Sequence, residues 1–185
     1  SGVAYVAPSW LFVVSDSGGG ASNDFLDLFD YLTPFANPTN LFSSLVSGAA
    51  TTYMRQMAFV TNTSANRYYA FISESGSNRI ARLSSPISQT ASALNFTRDF
   101  NFAANGTCTL TTPYGVAHIP SSDNIAVIHS AATGRVNIFD QSGTCVGSTS
   151  MTNTPTGAAY HAPSDSILVT YSGNSSISAH NISTG

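Results

Sequence analysis

Ionised side chains are scarce in this sequence of 185 residues, since Asp, Glu, Lys and Arg together make up only 8% of it. Six residues are basic and they are scattered along the chain, whereas phosphate binding requires a cluster of Lys and Arg. We therefore expect no nucleic-acid partner. A hydrophobic fraction of 42% and a net charge of -3 also exclude an intrinsically disordered chain, because disorder requires low hydrophobicity and high net charge.

Long apolar runs are also lacking. No run approaches the roughly 20 residues that a membrane-spanning helix needs, so we expect no membrane span in this chain. The N-terminus does not show the basic stretch followed by an apolar stretch that marks a signal peptide. Because the chain starts at Ser1 without a Met, we expect a processed or partial chain whose targeting signal lies elsewhere.

Catalytic signatures are missing as well. The sequence contains no GxSxG elbow, no HExxH helix, no CxxC pair and no phosphate-binding glycine loop. The glycines at 18–20 lack the Lys and the helix that should follow them in such a loop. We therefore predict no catalytic residue and no cofactor.

Two groups of residues are potential metal ligands. Asp24, Asp27 and Asp30 are spaced by three, which on a helix would place three carboxylates on one face, as in a calcium site. On a strand, Asp27 points away from the other two, and we expect solvated carboxylates. The histidines show no metal-ligand spacing, and we assign them no metal. They are His118, His129, His161 and His180.

The clearest pattern that is present lies between Pro113 and Gly143. Three strand-like runs occur there, GVAHI at 115–119, IAVIH at 125–129 and RVNIFD at 135–140. Turn-forming Pro, Ser, Asp, Asn and Gly residues separate them. The last run alternates polar with apolar residues, as a half-buried strand does. The stretch therefore predicts an antiparallel meander.

The landmarks of this meander recur 42 residues later, at Pro113 and Pro155, Gly115 and Gly157, and Ile125 and Ile167. A period in the low forties with about four strands per unit is typical of propeller blades. We predict an all-β chain that forms one β-propeller-like domain over 1–185. Its four antiparallel units span about 1–50, 53–108, 111–150 and 155–185. The chain ends where the outer strand of the fourth unit should begin, so the predicted array is partial or open.

Two local expectations accompany the repeat. The Asn37-Pro38 pair predicts a short helix through Leu41 to Val46. The aromatic side chains of Trp10, Tyr68 and Tyr69 are suited to stack on sugar rings, but we expect them to form core between blades.

The stretch PYGVAHIPSSDNIAVIHSAATGRVNIFDQSG resembles an NHL-type repeat, and the fourth unit is similar to repeats of the lactonase-like and YncE-like propellers. Propellers of these families generally have six or seven blades. Four units imply that further blades are missing from this chain, that the array stays open, or that it assembles with a neighbour. The resemblance also implies an alternative function, a lactonase-like or lyase-like enzyme with a divalent metal in the propeller channel. The family's acidic and Asn ligands have no matching positions here.

Five acceptor sequons for N-glycosylation are present. They lie at Asn62, Asn95, Asn105, Asn174 and Asn181. Together with the low charge and the many Ser, Thr and Asn residues, they predict a glycosylated protein that is extracellular or on the cell surface.

Cys108 and Cys145 are the only cysteines, and each ends a Gly-Thr-Cys triplet at the same place in successive units. Two cysteines in an oxidising compartment predict a mutual disulfide. Equivalent positions on adjacent outer strands can exceed the Cα separation of about 7 Å that a bridge allows. Two free thiols are therefore the alternative.

Two functions are compatible with these patterns. The first is a non-enzymatic extracellular glycoprotein, a structural or interaction module of a cell-surface coat or filament, with protein partners or self-assembly. The second is the metal-dependent propeller enzyme.

Overall fold

The computed structural model describes residues 53–87, 96–102, 104–130, 134–173 and 176–181, together with the backbone of four strands within 2–45. Regular structure in these segments is β-strand, apart from two 3-10 turns at Ser75–Ser77 and Ala162–Ser164. In this part of the chain, no helix has the length and apolar character to cross a membrane.

The described strands form four antiparallel sheets, and in each sheet neighbouring strands are consecutive in sequence. The first sheet contains β1 (Gly2–Val6), β2 (Trp10–Ser15), β3 (Phe25–Asp30) and β4 (Asn40–Leu45). The second contains β5 (Met54–Asn62), β6 (Arg67–Glu74), β7 (Arg79–Pro86) and β8 (Thr97–Phe102). The third contains β9 (Pro113–Ile119), β10 (Asn124–His129), β11 (Arg135–Phe139) and β12 (Cys145–Ser150). The fourth contains β13 (Pro155–His161), β14 (Ser166–Tyr171) and β15 (Ile177–Asn181).

The repeat of 42 residues predicts the strand starts of the last two sheets correctly. The matching first residues are Pro113 and Pro155, Asn124 and Ser166, and Arg135 and Ile177. The pairing of strands extends this match to the first sheet, where Gly2 pairs with Val14 as Gly115 pairs with Ile128. The all-β meander architecture expected from the sequence is thus confirmed.

The helix expected over 41–46 is wrong. Asn40–Leu45 is a strand that pairs antiparallel with β3 and completes the first sheet. A short apolar run does not distinguish a helix from a strand by its periodicity. Here the free edge of β3 provides backbone partners, so the segment forms a strand.

The first strands of successive sheets lie side by side, β1 next to β5, β5 next to β9 and β9 next to β13. Among the residues whose side chains the structure describes, two apolar layers lie between the sheets. One joins the second and third sheets around Phe71, Phe102 and Phe139, and the other joins the third and fourth around Ile128 and Ile167. Among the described strands, the first and fourth sheets do not pack on each other, so the array is open.

Gly115 marks a close approach between the third and fourth sheets. A Cβ atom at this position would lie 2.5 Å from Ile128 Cγ1 and 2.8 Å from the backbone nitrogen of Ala158. We expect Gly115→Ala to lower the free energy of unfolding by about 1–3 kcal/mol, because the backbone of the fourth sheet must move away. Urea denaturation measures the change.

Gly147→Ala is the matched control, since a Cβ there has no neighbour within 4 Å. Its effect should stay within about 0.5 kcal/mol. Equal denaturation midpoints for the two variants would contradict the proposed tight contact at Gly115.

Candidate functional site

A groove of about 260 Å³ lies along the first strands of the second, third and fourth sheets. Because β5, β9 and β13 stand side by side, residues from three sheets line one surface. Its polar side chains are Gln56, His118 and Tyr160, and Phe59 adds an aromatic ring. This groove is the candidate functional site.

Gln56 spans the groove from the second sheet to the fourth. Its Nε2 donates to the carbonyl oxygen of Ala158 at 2.6 Å, and its Oε1 accepts from the Ala158 N–H at 3.2 Å. The side-chain amide thus bonds to Ala158 as a neighbouring strand would. The buried hydroxyl of Ser73 accepts from the Gln56 N–H at 2.9 Å, which fixes the start of β5.

His118 is positioned by a carboxylate from the turn that follows its own strand. Its Nε2 lies 3.0 Å from Asp123 Oδ1, and the same oxygen accepts from Gln141 Nε2 at 2.6 Å. Asp123 has a positive φ of 57°, a left-handed conformation that Asp tolerates in turns. The carboxylate therefore holds both the imidazole and the neighbouring turn.

Tyr160 repeats this arrangement in the fourth sheet. Its hydroxyl donates to Asp165 Oδ1 at 2.8 Å, and Ser121 of the third sheet donates to the same oxygen at 2.7 Å. The hydrogen bonds from Ser121 and Tyr160 hold the pKa of Asp165 below its usual value. The bond to this carboxylate raises the pKa of the Tyr160 hydroxyl. The two hydrogen bonds join Tyr160 and Ser121 through one carboxylate oxygen.

Sequence reasoning missed the roles of Gln56, Asp123 and Asp165. A signal was present for the two aspartates, because they are also 42 residues apart and each immediately precedes a second strand. No comparable signal marks Gln56, since its partner Ala158 is 102 residues away in sequence.

The remaining histidines have separate partners. His161 Nδ1 lies 2.7 Å from Ser164 Oγ, and His180 Nε2 lies 2.6 Å from Ser178 Oγ. His129 is buried, and burial, with a smaller effect of nearby Arg135, lowers its pKa. Burial also lowers the pKa of His180. Among the described residues, no three His, Cys, Asp or Glu side chains are grouped so that they would hold a metal ion.

A buried ion cluster lies away from this groove, in the second sheet. The Glu74 side chain is fully buried and pairs with both Arg79 and Arg98. Arg98 Nη1 lies 3.1 Å from Glu74 Oε2, and it also donates to Asn101 Oδ1 at 3.0 Å. The cluster ties the end of β6 to β7 and to the outer strand β8.

Three sequons fall on described residues. Asn105 is exposed in a turn whose next residue, Gly106, has a positive φ of 58°. Asn62 is half-buried at the end of β5, and its Oδ1 accepts from the Ala65 N–H at 2.8 Å. Asn181 is exposed at the end of β15. Asn95 and Asn174 lie outside the described residues.

Cys108 and Cys145 form a disulfide with a Cα separation of 5.7 Å. The expectation that both lie on outer strands is wrong for Cys108, which belongs to the connection between β8 and β9 and forms an isolated bridge with Asn105. Cys145 begins the outer strand β12. The connection brings Cys108 against the third sheet, within bonding reach.

The aromatic expectation is confirmed for Tyr69, whereas the solvation of the aspartates and the core packing of Trp10 stay predictions. Tyr68 and Tyr69 are buried, and Tyr69 belongs to the apolar layer between the second and third sheets, as expected of core between blades. Asp27 and Asp30 lie in a strand, as the repeat predicts, and Trp10 begins β2. Asp24 lies outside the described residues.

Comparison with solved structures identifies the fold. The β-propeller domain of Myceliophteria thermophila Cps50 (Swd1) matches with a TM-score of 0.62 and 12% identity, over 97% of this chain and 53% of that one. An engineered GH43 glycoside hydrolase matches with a TM-score of 0.61 and 16% identity, over 93% and 36%. A putative 6-phosphogluconolactonase from Bacteroides uniformis matches with a TM-score of 0.51 and 11% identity, over 92% and 52%.

No family model matches the sequence, and no curated protein matches it. The chain spans about half, or less, of the solved structures that it resembles. At identities of 11–16% these similarities establish the fold alone. The chain is therefore an open array of β-propeller blades.

Proposed function

We propose that this chain is a non-enzymatic extracellular glycoprotein of NHL-repeat or YncE-like type. Its propeller array would serve as a structural or interaction module of a cell-surface coat or filament. The observation that carries the proposal is that the described acidic side chains make structural contacts.

Each acidic side chain that the structure describes is engaged in a contact that holds a turn or joins neighbouring elements. One of these carboxylate contacts, Ser121 with Asp165, links separate sheets, and Arg82, the partner of Asp99, makes a second link through a backbone carbonyl. Arg82 pairs with Asp99 and donates to the carbonyl of Gln141 in the third sheet, and Ser121 joins the third sheet to Asp165. Asp140 accepts from the Ser142 and Thr144 N–H groups at 2.9 and 2.8 Å. Carboxylates used in this way stabilise an architecture, as a scaffold requires.

The disulfide and the exposed sequons support an extracellular location. Disulfides persist in oxidising compartments, which include the cell surface and the secreted space. Asn105 lies in an exposed turn three residues before Cys108, which the disulfide anchors to the third sheet. Asn105 is therefore accessible to an enzyme that attaches a glycan, and the nearby disulfide holds the turn in place.

Intact-mass measurement of protein secreted by a eukaryotic host tests the glycoprotein proposal. We expect treatment with an N-glycosidase to lower the mass, and Asn105→Gln to remove one glycan. Asn153→Gln is the matched control, because Asn153 is exposed but is followed by Thr154 and Pro155 and is not an acceptor. If the mass measured before glycosidase treatment equals the mass of the polypeptide alone, the main support for this function is lost.

A second candidate is the metal-dependent propeller enzyme, for which the groove offers two polar side chains fixed by carboxylates but, among the described residues, no group of three metal ligands. His118 and Tyr160 line the groove, and each is oriented by a carboxylate at 3.0 or 2.8 Å. Metal analysis of the purified protein separates the two candidates. Stoichiometric Ca or Zn that is lost from a His118→Ala variant would favour the enzyme over the scaffold.

A further inference from the structure

One face of the fourth sheet is exposed although it is partly apolar. Strand pairing places Ala159, Leu168 and Ala179 side by side on this face, and Ile177 beside Thr170. Ile177 is 69% exposed, Ala159 and Ala179 are exposed, and Leu168 is half-buried. We call these five residues the open face.

The corresponding faces of the second and third sheets are buried by the sheet that follows each of them. In the third sheet, Ala117 and Ala126 occupy the positions of Ala159 and Leu168, and both are buried against the fourth sheet. In the second sheet, Ala58 and Phe71 occupy these positions and are buried against the third. The open face thus continues a series of interfaces between sheets.

The first sheet of the chain carries the complementary pattern. The residues with which the fourth sheet packs on the third include Ala158, Tyr160, Ile167 and Val169. Strand pairing shows which residues of the first sheet hold the equivalent positions. They are Val3, Tyr5, Leu11 and Val13. Within the chain, the third sheet already packs against a sheet with this residue pattern, namely the fourth.

We infer that the open face binds the first sheet of a second copy of this chain. The contact is head-to-tail, since it joins different surfaces of the two copies. Such contacts generate rings when the rotation closes and filaments when it does not. This inference rests on the proposed function and specifies self-assembly as the interaction of the module.

A consequence concerns Asn181, which is exposed at the end of β15 on the same face as Ile177 and Ala179. A glycan at this asparagine would occupy the surface that the second copy needs. We therefore expect Asn181 to be unmodified in the assembled fraction, as peptide mapping would show.

Sedimentation velocity across a wide range of concentrations tests the inference on the 185-residue chain. We expect the unmodified chain to assemble and Ile177→Glu to weaken assembly by more than about a hundredfold, because the interface would bury an unpaired charge. Val146→Glu is the matched control. Val146 is 59% exposed on β12 of the third sheet, outside the open face, and its variant should assemble like the unmodified chain.

A mixing experiment tests the orientation. Ile177→Glu blocks the open face, and Val3→Glu places a charge at the first-sheet register position equivalent to Ala158, so each variant keeps one of the two proposed surfaces. We expect the mixture to form a one-to-one complex that neither variant forms alone. Thermal denaturation followed by circular dichroism confirms that each variant is folded.

A chain without substitutions that stays monomeric would overturn the inference. Equal assembly of the Ile177→Glu and Val146→Glu variants would also overturn it. These results are distinguishable from a failure of the proposed function. A chain that is glycosylated but monomeric would contradict only the inferred self-assembly. A chain that assembles but carries no glycan would contradict only the glycoprotein proposal.

Discussion

Glu74→Gln is expected to lower the free energy of unfolding by about 3 kcal/mol, because removal of one partner from a buried ion pair leaves the opposite charge uncompensated. The Glu74 side chain is fully buried between Arg79 and Arg98, whose side chains are 23% and 16% exposed. Their residual exposure places the effect at the lower end of the range for buried pairs. Urea denaturation followed by intrinsic fluorescence measures the change.

Asp99→Asn provides the matched control, since it removes a carboxylate from an ion pair in the same sheet. The Asp99 and Arg82 side chains are 30% and 20% exposed and their atoms are 3.0 Å apart. Solvent screening limits the expected loss to about 1 kcal/mol or less. If the two variants unfolded at the same urea concentration, the buried cluster would not have the stabilising role assigned to it.

Removal of the disulfide has the second large expected effect. The bond between Cys108 and Cys145 closes a loop with a sequence separation of 37. On the chain-entropy model, a Cys108→Ala, Cys145→Ala double variant should lose about 4 kcal/mol of stability, because its unfolded chain is less restricted. The comparison of its urea denaturation curve with that of the oxidised chain measures this loss.

Reductant supplies the control for the disulfide. It should lower the denaturation midpoint of the unmodified chain, because unfolding exposes the buried Cys108 sulfur to reduction. The double variant should show the same midpoint with and without reductant. An unmodified chain whose midpoint does not respond to reductant in denaturant would contradict a stabilising bond.

Features that depend on neighbouring residues in sequence were predictable. The alternation of polar and apolar residues in RVNIF and the turn residues before Asn124 define strands locally, because side chains alternate between the faces of a strand. The constant offset of 42 residues then located the strands of the fourth sheet. The run over 41–46 was misassigned because a short apolar segment has the same local signal in a helix and in a strand.

The candidate site was much less predictable. His118 and Tyr160 could be recognised as repeat positions, but their proximity in one groove depends on how neighbouring sheets pack. The contact of Gln56 with Ala158 joins residues 102 positions apart. No local pattern reports such a contact, since it forms only when the first strands of three sheets lie side by side.

The sequence by itself determined the all-β meander, its period and the low charge of the surface, because these follow from residue type and spacing. Only the tertiary structure decided which polar groups meet. It brought Cys108 to 5.7 Å from Cys145 between Cα atoms, enclosed Glu74 between two arginines, and left one face of the fourth sheet open. Each of these depends on packing between separate elements, which local sequence does not specify.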